Sequence, residues 1–149
     1  QSGRNMPSTD CRFIGCAFVE SRKLGITSEA PSSGVAAASA TFHGCNLEVC
    51  SGGSLVDLVD VRNFRFDCCR FEDAHASHPI VKLSTTNESA NTRIVNCNFG
   101  GSGSQPSIKC DAGVTGLVLM TNTFPGGRTT LSASEGSYRS IANSGLDDV

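Results

Sequence analysis

The sequence predicts an all-β chain: a single-stranded right-handed parallel β-helix, or β-solenoid, of about five to six coils. Three observations predict it. A short motif returns five times at a nearly constant interval, the copies have strand periodicity, and the segments between them are rich in Gly, Ser, Asn and Pro. In the motif an apolar residue, any residue and a second apolar residue precede two variable positions. Cys or Asn follows, then any residue, then a further apolar residue. The copies run from Cys11 to Phe18, Ala40 to Leu47, Phe64 to Phe71, Thr92 to Phe99 and Leu117 to Phe124. Their anchors are Cys16, Cys45, Cys69, Cys97 and Asn122, between 24 and 29 residues apart.

Each element of a copy has a physical role. Its first half alternates, so Phe13, Phe42, Phe66, Ile94 and Leu119 point to one side and Arg12, Thr41, Arg65, Arg93 and Val118 to the other. The two variable positions carry turn-tolerant residues (Gly15, Gly44, Asn96, Thr121), which predicts a bend. A second short strand then brings the anchor and Phe18, Leu47, Phe71, Phe99 or Phe124 inward. About ten residues later comes a third apolar stretch, at Gly25–Thr27, Val56–Leu58, Ile80–Leu83, Ile108–Cys110 and, more weakly, Leu131 with Ala133. One coil cannot bury its inner face, but a stack closes a continuous core. Parallel strands roughly 4.8 Å apart make five levels a rod roughly 24 Å tall. The domain reading is an N-terminal extension over 1–10, the β-helix over 11–131, and a tail or cap over 132–149.

The formal net charge of −2 and the lack of basic runs point away from nucleic acid and anionic membranes. No apolar stretch approaches a membrane span, so no membrane insertion is expected. The chain opens on Gln1 without a Met, as expected of a trimmed or processed product or the ordered part of something longer. Eight cysteines suggest a disulfide framework at first count. Four of them, however, occupy one inward anchor position on successive coils. The preferred reading is a ladder of free thiols, Cys16, Cys45, Cys69 and Cys97, closed by Asn122, each thiol acting as a small hydrophobe. Coil spacing is also compatible with disulfides, so that alternative stays open.

An inward strand, a bend and then Asn-Cys-Asn-Phe (96–99) or Gly-Cys-Asn-Leu (44–47) resembles the coils of the pectate-lyase-like right-handed β-helix superfamily. The resemblance covers about Cys11 to Phe124 and is closest to bacteriophage tailspike and tail-fibre β-helices. It implies a homotrimer on a virion appendage (alternatively, a secreted protein) that contacts host cell-surface polysaccharide and often cleaves it. No cofactor is implied. The Asn-Thr-Asp, Gly-His-Gly and Arg-Ile-Lys elements of polygalacturonases are missing, and Asp147–Asp148 lies outside any coil.

The candidate sites follow from this frame. Glycan cleavage needs a carboxylate pair, and Asp57, Asp60, Asp67, Glu72 and Asp73 are close in sequence, with Glu48 or Glu88 on adjacent coils; Asp57, Asp67 and Asp73 are the catalytic candidates. Asp57 facing Lys82 in a surface charge ladder is the competing explanation. Arg12, Arg65 and Arg93 share one outward position and, with Lys82 and Lys109, are the candidates for binding acidic sugars. Outward His43 and Tyr138 are candidates for sugar stacking. His75 and His78 beside Asp73 have His-x-x-His spacing but sit on a Pro-bounded loop without a third ligand, so no metal is expected. The function expected is a structural and adhesive segment contacting host glycans; the alternative is a glycan hydrolase or lyase using flank carboxylates.

Overall fold

In the computed structural model the described residues, 11–21, 26–27, 39–50, 53–72, 77–86, 89–101, 103–124, 130–133 and 138–145, form a parallel β-solenoid. The first coil contributes β1 (Cys11–Ile14), β2 (Ala17–Ser21) and β3 (Ile26–Thr27). The second has β4 (Ala40–His43), β5 (Asn46–Cys50) and β6 (Val56–Val59), and the third β7 (Phe64–Asp67), β8 (Arg70–Glu72), β9 (Val81–Ser84) and β10 (Ser89–Ala90). The fourth has β11 (Arg93–Val95), β12 (Asn98–Gly100), β13 (Ile108–Cys110) and β14 (Val114–Thr115). The chain continues through β15 (Leu117–Met120), β16 (Leu131–Ser132) and β17 (Tyr138–Ile141).

Equivalent strands stack into three main sheets. Sheet A runs β1-β4-β7-β11-β15-β17, sheet B β2-β5-β8-β12, and sheet C β3-β6-β9-β13-β16; β10 and β14 pair at one corner. Every pairing is parallel and aligns the motif copies, with Phe13 on Phe42, Phe42 on Phe66, and Phe66 on Ile94. Four coils carry a strand in all three sheets. Among the described residues, the fifth and sixth reach sheet B only through the single bridges Asn98 to Thr123 and Thr123 to Ser144. The stack therefore has about four full turns, fewer than the five to six coils expected.

The bend between sheets A and B explains why the second of the two variable positions is small or polar. Gly15, Gly44, Cys68, Asn96, Thr121 and Ala142 all adopt positive φ, between 51° and 62°. Gly takes this conformation without steric cost, and it is stacked here at six successive levels. The hydrogen-bond ladder does not break at the corner: Gly15, Gly44, Cys68, Asn96 and Thr121 each donate their N–H to a carbonyl on the next coil, at 2.9–3.0 Å.

Inside, the rings stack along the solenoid axis. Phe13–Phe42 and Phe42–Phe66 lie at 4.7 and 4.9 Å, Phe71–Phe99 and Phe99–Phe124 at 4.7 Å, and Phe66 meets Phe71 edge-on at 5.6 Å. Centroids at this distance are set by the strand spacing and lie in the favourable offset range. Leu55, Leu58, Ile80, Leu83, Ile108 and Leu117 complete a core with almost no solvent exposure.

The anchor row is more than apolar filling. Asn122 Oδ1 accepts the N–H of Cys97 at 2.9 Å, and its Nδ2 donates to the Ile94 carbonyl at 2.8 Å. One level on, Asn143 Oδ1 accepts the N–H of Asn122 at 2.8 Å while its Nδ2 donates to the Leu119 carbonyl at 3.1 Å. Cys97 Sγ accepts the Cys69 N–H at 3.4 Å, and the thiols of Cys69 and Cys45 donate to the Phe42 and Phe13 carbonyls at 3.4 and 3.5 Å. From Cys45 onward each anchor thus hydrogen-bonds backbone groups of the preceding coil. Cys does this weakly through sulfur and Asn strongly through an amide, so treating the thiols as small hydrophobes is incomplete. The cysteines whose side chains are described (Cys11, Cys16, Cys45, Cys68, Cys69, Cys97 and Cys110) are all free.

The segment read as a tail holds a sixth level. β17 pairs with β15, placing Tyr138, Ser140, Asn143 and Gly145 at levels equivalent to Leu117, Leu119, Asn122 and Phe124. Tyr138 is therefore in an inward column, half-buried against the core, and is not the outward stacking residue expected. Small and polar side chains replace the apolar inward set, which gives this end a polar finish.

Candidate functional site

The outer face of sheet A carries two columns of side chains. Because strand residues alternate between faces, in-register stacking aligns Arg12, Thr41, Arg65, Arg93, Val118 and Arg139 in the first. The second comprises Ile14, His43, Asp67, Val95, Met120 and Ile141. The four guanidinium groups of Arg12, Arg65, Arg93 and Arg139 are on exposed residues. At one strand spacing per level, neighbours along this column are roughly 5–10 Å apart. Arg12, Arg65 and Arg93 are thus brought together as expected. Arg139 was missed because the sixth copy lacks the apolar signature.

Lys82 and Lys109 lie elsewhere. They stack with Asp57 in sheet C, in the order Asp57, Lys82, Lys109, and Lys82 Nζ is 3.9 Å from Asp57 Oδ1. The expected ladder forms, but on a different face from the arginines. The catalytic candidates are likewise dispersed: Asp57 is in sheet C, Asp67 in sheet A, and Asp73 lies outside the described residues, as does His75. Asp60 is buried. It accepts hydrogen bonds from Thr85 Oγ1 at 2.9 Å and the Thr86 N–H at 2.6 Å, so it clamps the turn of the next coil. The carboxylates paired by register are Glu48 and Glu72 in sheet B, with Arg70 beside both, 4.0 Å from Glu48 and hydrogen-bonded to Glu72.

A second grouping occupies the corner between sheets A and B. His43 and Asp67 are register partners on β4 and β7, and Cys68 is the bend residue directly after Asp67. His43 Nδ1 lies 3.6 Å from Asp67 Oδ2 and Cys68 Sγ 3.5 Å from Asp67 Oδ1; the three donor atoms are mutually within 4.8 Å. Arg65 donates to Asp67 Oδ2 at 2.9 Å. Partial burial disfavours the Asp67 carboxylate, but the Cys68 hydrogen bond and the Arg65 charge outweigh it and hold the group below the usual carboxylate range. Cys68 moves the other way, because desolvation and the hydrogen bond and negative charge of Asp67 penalise its thiolate. Within the solenoid, burial pushes Cys45 up and Cys110 up to about 12, while Cys97 is raised first by its contact with Cys69 and then by burial. Burial thereby favours the protonated thiol at Cys45, Cys97 and Cys110.

The signal for this corner lay in the aligned copies. The two positions before each anchor read Ile14–Gly15, His43–Gly44, Asp67–Cys68, Val95–Asn96 and Met120–Thr121, so His, Asp and Cys coincide on adjacent levels. No protein-family model, curated protein or solved structure matches the chain.

Proposed function

We propose that the chain is a structural and adhesive β-solenoid segment of a virion surface appendage, of the bacteriophage tailspike or tail-fibre kind, that contacts acidic host-surface glycans along sheet A. The supporting observation is the in-register column Arg12, Arg65, Arg93 and Arg139 on the outer face of sheet A. Guanidinium groups bind carboxylate or sulfate in a planar, bidentate way. Repeating that group along a rigid rod matches the repeating charge of an acidic polysaccharide, and several weak contacts add up by multivalency. The pectate-lyase-like resemblance of the coils favours the same class, and the homotrimer on the virion belongs to the proposal. Sedimentation at the mass of three chains is expected, and a monomer removes that element.

Titration with a uronic-acid-rich polysaccharide at rising salt tests the reading. Affinity should fall steeply with ionic strength, and Arg65→Ala with Arg93→Ala should weaken it at least tenfold; salt-independent binding, or binding indifferent to both changes, refutes it. The hydrolase or lyase alternative is best served by Glu48 and Glu72, which are neighbours on sheet B. Arg70 engages both, a neutralising arrangement that favours a surface ion cluster over an acid–base pair.

A further inference from the structure

We propose that His43, Asp67 and Cys68 form a three-donor site for a zinc-class divalent transition metal at the corner between sheets A and B. The spacing fits. Ligand lengths of about 2.3 Å to sulfur and about 2.0–2.2 Å to nitrogen and oxygen give tetrahedral edges of about 3.4–3.6 Å. One edge already has that length, Cys68 Sγ to Asp67 Oδ1 at 3.5 Å, and His43 Nδ1 lies 3.6 Å from the other carboxylate oxygen, Oδ2. The three donor atoms, one per residue, lie within 4.8 Å of one another, and the edges to the imidazole close by side-chain rotation of an exposed His43.

The supports are stiff. Gly44, after His43, donates its N–H to the Asp67 carbonyl at 2.9 Å, and Cys68 donates to the Val95 carbonyl at 3.0 Å. The corner backbone is therefore fixed across three coils. Arg65 holds Asp67 Oδ2 from the side, the role an outer-shell group plays at metal sites, and leaves Oδ1 toward Cys68. A nitrogen, oxygen and thiolate set selects zinc-class metals over Mg²⁺ and Ca²⁺. On binding, the metal replaces the Cys68 thiol proton that now bonds to Asp67, and that proton passes to solvent. The fourth coordination position faces outward and takes water.

Cobalt titration of the folded, reduced protein tests this. A near-ultraviolet thiolate-to-cobalt charge-transfer band should saturate at one Co²⁺ per chain and be abolished by Zn²⁺ but not by Mg²⁺. Cys68→Ser should remove the band, and His43→Gln should weaken cobalt affinity at least tenfold. A second measurement needs no variant: Zn²⁺ should slow alkylation of Cys68, followed by peptide mapping, several-fold. Absence of the band, its survival in Cys68→Ser, or a Cys68 alkylation rate indifferent to Zn²⁺ overturns the proposal.

Discussion

Replacing Asn122 with Leu, a side chain of similar size, separates two accounts of the anchor row. If the row is only apolar filling, Leu is neutral or stabilising at a position 1% exposed. If the row relays hydrogen bonds, the substitution leaves the Cys97 N–H without its 2.9 Å acceptor and removes the donors to the Ile94 carbonyl and Asn143 Oδ1. An orphaned buried N–H costs about 1–3 kcal/mol and each of the two lost side-chain hydrogen bonds about 1 kcal/mol, so a total of about 3–5 kcal/mol is expected. At roughly 2–4 °C per kcal/mol for a chain of this size, Tm should fall by about 6–20 °C. The converse change, Cys97→Asn, supplies a stronger acceptor to the Cys69 N–H than sulfur at 3.4 Å and should leave Tm unchanged or raise it. Thermal unfolding by circular dichroism measures both. An unaltered or higher Tm for Asn122→Leu would refute the relay.

Three further outcomes are expected. Phe71→Ala, which empties a fully buried site stacked on Phe99, should cost about 3–5 kcal/mol in chemical denaturation, whereas exposed Arg65→Ala should leave the fold intact; equal effects would mean the inward and outward faces are misassigned. Because the folded Asp67 carboxyl lies below its unfolded value, its stabilisation is present at neutral pH and is lost as pH falls through the depressed value. The difference in urea midpoint between wild type and Asp67→Asn should therefore close on acidification, and a gap constant with pH counts against the pairing. Cys110, raised to about 12, contributes stability below the ordinary thiol value of about 8.5 that is lost as pH climbs toward 12. Cys110→Val should flatten that alkaline decline, and an unchanged slope would place the effect elsewhere.

The repeat made most of the fold legible. Alternation fixed which residues face inward, and the Phe spacing placed Phe13, Phe42 and Phe66 in one stack, because a parallel solenoid maps sequence copies onto register partners one to one. The sixth level was hidden for the same reason. Ser140, Asn143 and Gly145 have the right spacing but not the apolar character, since a terminal coil has no further layer to cover it. The anchors' role was half-legible: Cys looks apolar until Asn122 and Asn143 show that the position demands an acceptor and a donor. For the site, the column Arg12, Arg65 and Arg93 followed from the repeat. The separation of Lys82 and Lys109 onto sheet C needed the third strand to be placed on its own face. The His43, Asp67 and Cys68 corner needed adjacent copies to be compared position by position, since no single copy contains more than two of its members.

The most direct test of the functional account is a glycan array read with wild type and an Arg65→Glu, Arg93→Glu variant of matched melting temperature, with reducing-sugar release followed on every hit. The account predicts that wild type is retained on acidic glycans without sugar release and that the variant is not retained. Retention of both proteins alike, wild-type retention on neutral glycans only, or release of sugar from the bound glycan would contradict it.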